Sequence, residues 1–370
     1  MKRSNWMTIK AKLFWMTCAL FFILGCGLVS PGSAPTDDLF LTLQASTPSG
    51  GFPPAAQTQV IASPVFNAFT PVASPTNNSA PGSVPTSIPP PSSSDQPGGH
   101  IVFTCQVFKV QAANQICIMN ADGSGYRRLT TANNIQHYYP SLSPDGQHVL
   151  YAAFREQNVY EIYRLDLDDG SVDRLTNRMG VLNAPEYSPN GESITFTRGN
   201  PNTGNFQIMI MDANGDNPGN VPGVSGWDPS WSPDGKQILF ASSRDGAAQL
   251  FTVNLKGGGI KRITNLPAIR GRSDWSADGQ SIVTYSGEAW NREVYIMSAD
   301  GSGARQLTPS GGNSQGPAFS PDGKWVVFTA YFDHYGDDHG CEIYIIRTDG
   351  SDLRRLTDND YCDYQPRWGP

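Results

Sequence analysis

The sequence has no apolar run of the roughly 20 residues that a membrane-crossing helix needs. The longest stretch near the N-terminus, Leu13 to Leu24, is short, and its flanking charge lies on one side only, in Lys2, Arg3, Lys10 and Lys12. It reads as an export signal, residues 1–25, that sends the rest of the chain out of the cytoplasm. Positive charge is scarce as well. The chain has 26 Lys+Arg against 33 Asp+Glu, and without the signal the balance is 22 against 33, a formal charge of −11. A surface that acidic repels phosphate backbones and anionic headgroups, which argues against nucleic acid as a partner. Between Pro31 and Gly98 charge of either sign almost vanishes, and Ser, Pro, Thr, Ala and Gly take over. Such a segment cannot bury enough apolar surface to offset the entropy of ordering it. Residues 26–94 are therefore expected to be a disordered tether spanning on the order of 50 Å as a coil. Cysteine is sparse: Cys18 lies in the signal and Cys26 at its end. That leaves Cys105, Cys117, Cys341 and Cys362 for an oxidising compartment, where four thiols allow three pairings.

The apolar run ends in Ile23-Leu24-Gly25-Cys26, which resembles the lipobox of bacterial lipoproteins. The resemblance implies cleavage before Cys26, lipidation of Cys26, and a chain anchored in a membrane of the bacterial cell envelope. An ordinary secretory signal cut near Ser33 or Ala34, or an uncleaved anchor, would export the chain equally well.

What the sequence has in abundance is repetition. Ser143-Pro144-Asp145-Gly146 returns as Ser188-Pro189-Asn190-Gly191, Ser232-Pro233-Asp234-Gly235, Ser276-Ala277-Asp278-Gly279 and Ser320-Pro321-Asp322-Gly323, at spacings of 45, 44, 44 and 44 residues. Each copy keeps one internal order, clearest around Ser232. A lead-in Pro229-Ser230-Trp231 precedes the turn, and the apolar strand Ile238-Leu239-Phe240-Ala241 follows it. Then come Leu250-Phe251-Thr252-Val253 and a short strand ending Arg262-Ile263-Thr264. Four short strands joined by tight turns make one antiparallel sheet. A sheet apolar on both faces is unstable alone, but radial repetition buries both faces, whereas a solenoid would need polar caps. The C-terminal Gln365-Pro366-Arg367-Trp368-Gly369-Pro370 matches a lead-in and stops, while Ile101-Val102-Phe103-Thr104 begins a copy that lacks one. The two pieces complete one unit. The expected fold is all-β, a six-bladed β-propeller of four-stranded antiparallel blades over residues 95–370, closed by pairing of the N- and C-terminal strands.

This pattern resembles the propeller of the TolB family and related WD-repeat-like propellers of bacterial exported proteins. Besides the turns, the resemblance rests on Ile118-Met119-Asn120-Ala121-Asp122-Gly123, on Ile296-Met297-Ser298-Ala299-Asp300-Gly301, and on Leu-Thr endings at 129, 175, 307 and 356, with Ile263-Thr264 as a variant. Asn217-Pro218-Gly219-Asn220-Val221-Pro222 departs from it, so the outer strand there is expected to be short or irregular. The resemblance implies a binding protein of the envelope. TolB proper carries an α/β domain before its propeller and is a soluble periplasmic partner of the peptidoglycan-associated lipoprotein. Here a tether precedes the propeller, so the fold carries over and the partner does not.

Residues recurring in every blade, including the Asp-Gly turns and the Glu or Gln at 161, 207, 249, 293 and 342, read as scaffold. Function is expected where blades differ, on the face shared by the loops that lead into each innermost strand. Those loops supply His137, Tyr138, Tyr139, Asn183, Trp227, Asp228, Arg270, Arg272, Gln315, Asp363 and Tyr364. Rings, amides and both charge signs around one opening suit an envelope protein, peptide or polysaccharide bound by a monomer. The insertion from Phe332 to Cys341 holds His334, Asp337 and His339, residue types that ligate divalent metals. Their spacing fits no defined ligand set, so the loop is read as polar, with no metal and no cofactor. Cys341 with Cys362 and Cys105 with Cys117 are the favoured disulfides, beside the terminal closure. Asp212-Ala213-Asn214-Gly215-Asp216 lacks the distal Glu of a calcium loop and reads as a turn. The competing reading is an enzyme, either a metal-dependent polysaccharide lyase or another hydrolytic propeller. Propeller-bearing serine peptidases keep their nucleophile in a separate α/β domain with Gly-x-Ser-x-Gly, and neither that motif nor room for such a domain after Trp368 is expected here.

Overall fold

The repeated Ser-Pro-Asp-Gly segment folds as a self-bonded turn. Ser143 Oγ donates to Asp145 Oδ1 at 2.5 Å and accepts from His148 N at 2.9 Å, while Gln147 N donates to the same Asp145 oxygen at 3.0 Å. The glycine takes φ values of +71°, +73°, +69°, +70° and +70° in the five copies, a left-handed conformation in which a side chain would be strained. Asn190 replaces the aspartate in one copy and accepts from Ser188 Oγ at 2.7 Å, so the turn survives the exchange.

These turns reverse the chain between the first two strands of each blade. The computed structural model describes residues 96–108, 113–200, 203, 205–269, 271–331 and 340–370. Among the described residues, 24 strands form six four-stranded antiparallel sheets. Blade 1 pairs the last strand, Asp363–Gly369, with His100–Gln106, then Asn114–Asn120 and Arg127–Arg128. The innermost strands of blades 2 to 6 are His137–Leu142, Val181–Tyr187, Trp227–Trp231, Asp274–Trp275 and Gln315–Phe319. Each blade then runs outward in sequence order to a short, mostly exposed edge strand.

Innermost strands touch their neighbours all the way round, with Asp363–Gly369 between those of blades 6 and 2. Closure is by ladder pairing: His100 faces Gly369, Ile101 faces Trp368 and Val102 faces Arg367. Trp368 Nε1 donates to Gly98 O at 2.8 Å. A side chain at Gly99 would meet Gly369 O, so only glycine lets the two ends approach.

The core is six clusters, one in each gap between blades. Between blades 6 and 1, for example, Trp325, Val327 and Ile345 pack on Phe103, Cys117 and Met119. That is why second strands such as Gln237–Ser242 are buried on both faces. Two disulfides lie beside the closure. Cys105–Cys117 joins two strands of blade 1, and Cys341–Cys362 ties blade 6 to the residue just before the closing strand, with Cα atoms 5.9 Å and 4.3 Å apart.

The Leu-Thr endings form a repeated clasp. Thr176 Oγ1 accepts from Ile162 N and donates to Glu161, and Thr264, Thr308 and Thr357 do the same with Gln249, Glu293 and Glu342. In blade 3, Pro222 stands where the threonine would be and the clasp is gone, although Val221 N still donates to Ile208 O at 2.8 Å. The outer strand Gly219–Asn220 is short as expected, but four other blades also have two-residue outer strands. What distinguishes blade 3 is therefore the missing clasp. Asp212 to Asp216 is a hairpin turn in which Gly215 N donates to Asp212 O at 2.9 Å.

Candidate functional site

Six innermost strands converge on one axis, and each carries in it, or in blade 5 just before it, one residue with positive φ: Tyr139, Ala184, Asp228, Arg272, Gly316 and Gln365. Register shifts mark this point in five of the six. A bulge here turns the side chain out of the ladder toward the axis. Arg272 of blade 5 reaches the opposite blade, its guanidinium 5.2 Å from the Tyr139 ring centroid. Asp228 Oδ2 accepts from Arg272 N at 3.1 Å, and Gln365 Oε1 accepts from Tyr139 N at 2.9 Å and Thr104 Oγ1 at 3.0 Å. These residues floor the mouth. Arg272 is only 2% exposed.

Two residues further along each strand, a second layer lies below the floor: Ser141, Glu186, Ser230, Asp274, Ala318 and Arg367. Glu186, Asp274 and Arg367 form a charged cluster across the channel, with Arg367 Nη2 3.8 Å from Glu186 Oε2. Ser230 Oγ bridges the carboxylates, at 3.1 Å from Glu186 Oε1 and 3.4 Å from Asp274 Oδ1. Burial raises the Glu186 carboxyl to about 7, with Arg367 opposing and Asp274 adding to the rise. Burial also raises Asp274, against Arg367.

Around the floor stands a rim of half-buried side chains, Tyr138, Trp227, Gln315 and Tyr364. Aromatic rings cluster outside it: Tyr138 lies 6.2 Å from Tyr160, Phe206 5.9 Å from Trp227, and Trp290 5.7 Å from Tyr331. Trp290 is 54% exposed.

The sequence-derived candidates thus divide. Tyr138, Trp227, Asp228, Gln315 and Tyr364 are half-buried, the Tyr364 hydroxyl itself being covered, whereas His137, Tyr139, Asn183, Arg272 and Asp363 are buried. Burial holds the His137 imidazole down at about 4, against the carbonyls of Asn114 and Ile135. Burial, with Glu342 adding to it, pushes Asp363 up to about 8, while Asn359 and Thr357 pull the other way. Arg270, His334, Asp337, His339 and the lipidation candidate Cys26 lie outside the described residues. Among the described residues, no group of three or more His, Cys, Asp and Glu is placed to hold a metal ion.

The hydrolase pattern Gly-x-Ser-x-Gly does occur once, as Gly312-Asn313-Ser314-Gln315-Gly316. It leads into a propeller strand, not a strand-to-helix elbow. Ser314 is fully buried and its Oγ donates to Glu293 Oε2 at 2.9 Å, a structural bond beside the Thr308 clasp. The channel cluster went unnoticed in the sequence. Aligning the copies on their turns would have exposed it, because Glu186, Asp274 and Arg367 occupy one position in three copies.

The TolB beta propeller domain family matches residues 98–370. An uncharacterized protein of Agrobacterium fabrum is 29% identical over 168 residues, covering 43% of this chain and 56% of that protein. The Tol-Pal system protein TolB of Francisella tularensis is 30% identical over 175 residues, covering 34% of this chain and 40% of that protein. The matches thus span about half the length of these curated relatives. Among solved structures, TolB from Acinetobacter baumannii superposes with a TM-score of 0.65 at 27% identity, over 74% of this chain and 67% of that one. A nidogen/laminin complex reaches 0.56 at 11% identity, over 73% of this chain and 98% of that one, a likeness of fold alone. With the repeat, the closed ring and this match over nearly all described residues in agreement, the chain belongs to the TolB beta propeller domain family.

Proposed function

We propose that this chain is a tethered binding protein of the bacterial cell envelope. It takes a protein or peptide partner at the propeller mouth, while lipid on Cys26 and the segment 26–94 hold the propeller at a membrane. The observation that carries the reading is where the blades stop resembling one another. Their turns repeat almost residue for residue, but the mouth presents Tyr138, Trp227, Gln315 and Tyr364 half open, with Trp290 exposed beside Tyr331. Aromatic residues so placed are the usual anchors of protein recognition. Similarity to a Tol-Pal system protein favours a protein partner over a polysaccharide. Tyr139 and Arg272 meet across the axis beneath the rim, which favours a partner that lies across the rim.

The test is cross-linked capture from intact cells with the full-length chain and with a Tyr138→Ala, Trp227→Ala form. The expected result is a partner recovered by the first and lost by the second. Equal recovery by both would refute the mouth as the site.

A further inference from the structure

The channel beneath the mouth holds two carboxylates and one guanidinium, all within the described residues. The other neighbours in that layer, Ser141, Ser230 and Ala318, carry no charge, and the layer above adds Arg272 and Asp228 on the mouth side. With both acids ionised this largely covered layer, in which the Glu186 side chain is 19% exposed, would carry one negative charge in excess. A site so shielded from water relieves that excess by keeping a proton.

Hydrogen bonding decides which acid keeps it. Asp274 has a backbone donor on each oxygen, Trp275 N on Oδ1 at 2.9 Å and Phe319 N on Oδ2 at 2.8 Å, an arrangement that suits a carboxylate. Glu186 Oε1 accepts from Trp231 N and Ser230 Oγ, both at 3.1 Å. Among the described residues, the polar group nearest Glu186 Oε2 across the channel is Arg367 Nη2, at 3.8 Å, beyond hydrogen-bond reach. Arg367 meanwhile donates to two carbonyls, Nη1 to Pro317 O at 3.0 Å and Nη2 to Ser273 O at 3.4 Å.

We propose that this cluster is a proton-operated clasp on the closing strand. With a proton on Glu186 Oε2, Arg367 rests on the carbonyls of blades 5 and 6. When that proton leaves to solvent, Arg367 Nη2 gives up Ser273 O and closes on Oε2 of blade 3. No other bond changes. Arg367 lies two residues from Gln365, whose amide oxygen holds the Tyr139 backbone in the floor, so the exchange is felt at the mouth. That last consequence rests on the mouth being the binding site; the clasp itself does not.

The experiment is carbon-13 NMR of the full-length chain labelled only at glutamate carboxyls, titrated from pH 4 to 9, which leaves Asp363 and Asp274 silent. One glutamate is expected to titrate near neutrality, and its signal should be missing in Glu186→Gln. Hydrogen exchange of the Asp363–Gly369 amides should change across the same midpoint in the wild type and not in the variant. If Glu186→Gln does not fold, Asp274→Asn serves in its place, since removing the excess charge should bring the midpoint down toward the ordinary carboxylate range. The proposal is overturned if every glutamate of the wild type titrates in that ordinary range. It is equally overturned if the near-neutral signal survives Glu186→Gln or keeps its midpoint in Asp274→Asn.

Discussion

The two ends of the propeller axis are built from the same strands and differ in almost every other respect. At one end five near-identical turns spend their side chains on themselves, serine on aspartate and aspartate on backbone. A groove on that face lies between blades 4 and 5, lined by Pro233, Trp275 and Ala277, which replaces the repeat's proline. At the mouth the floor position holds a different residue in every blade, Tyr139, Ala184, Asp228, Arg272, Gly316 and Gln365, and several rim side chains keep aromatic surface in water. A turn that must only reverse direction converges on one solution, because its bonds are local. A surface that must fit something outside the molecule has no reason to repeat.

The harshest way to break this contrast is to remove what both ends share. Deleting Gln365–Pro370 takes away the ladder with His100–Val102, the Trp368 and Arg367 contacts and the seal of the ring. The cooperative unfolding transition seen by calorimetry should disappear, since open blades at both ends of the chain leave apolar faces in water. Next in size is Cys341→Ser with Cys362→Ser, which frees the mouth end of the closing strand. For a separation of 21 residues the loss is about 3 kcal/mol in denaturant unfolding.

Charge gives a third handle. The folded-state value of Asp363 lies above its ordinary value, so its contribution is complete in acid and is lost as pH rises toward about 8. Stability should therefore fall from mildly acidic to alkaline pH, and Asp363→Asn should flatten that decline when denaturant midpoints are compared across the range.

Smaller changes separate the two ends more cleanly. Asp322→Ala removes the acceptor of Ser320 Oγ and Lys324 N, and should cost about 1–2 kcal/mol while leaving partner capture intact. Trp290→Ala should change the unfolding free energy by no more than about 0.5 kcal/mol, because the ring is largely exposed, yet weaken capture measurably.

The ring was legible because its signals are local. Ser-Pro-Asp-Gly writes each turn in four consecutive residues, and the orphan lead-in Gln365-Pro366-Arg367-Trp368 announced the closure. The channel was not legible in the same way. Glu186 and Arg367 are 181 positions apart in number, and only the closed ring brings them together. The mouth lay between these cases. Loop position identified its residues, but whether a polar side chain there faces water or is covered depends on neighbouring blades, as buried His137 and Asp363 beside half-open Tyr138 and Tyr364 show. Gly312-Asn313-Ser314-Gln315-Gly316 makes the same point in reverse, a catalytic spelling whose serine is spent on Glu293.

The most direct test of the contrast is a photo-cross-linking residue placed, in the full-length chain, at position 315 in the mouth and separately at exposed position 280 among the turns, and activated in intact cells. A discrete adduct from position 315 and none from position 280 is the outcome expected of a mouth that binds. The same adduct from both positions, or from the turn position alone, would contradict it.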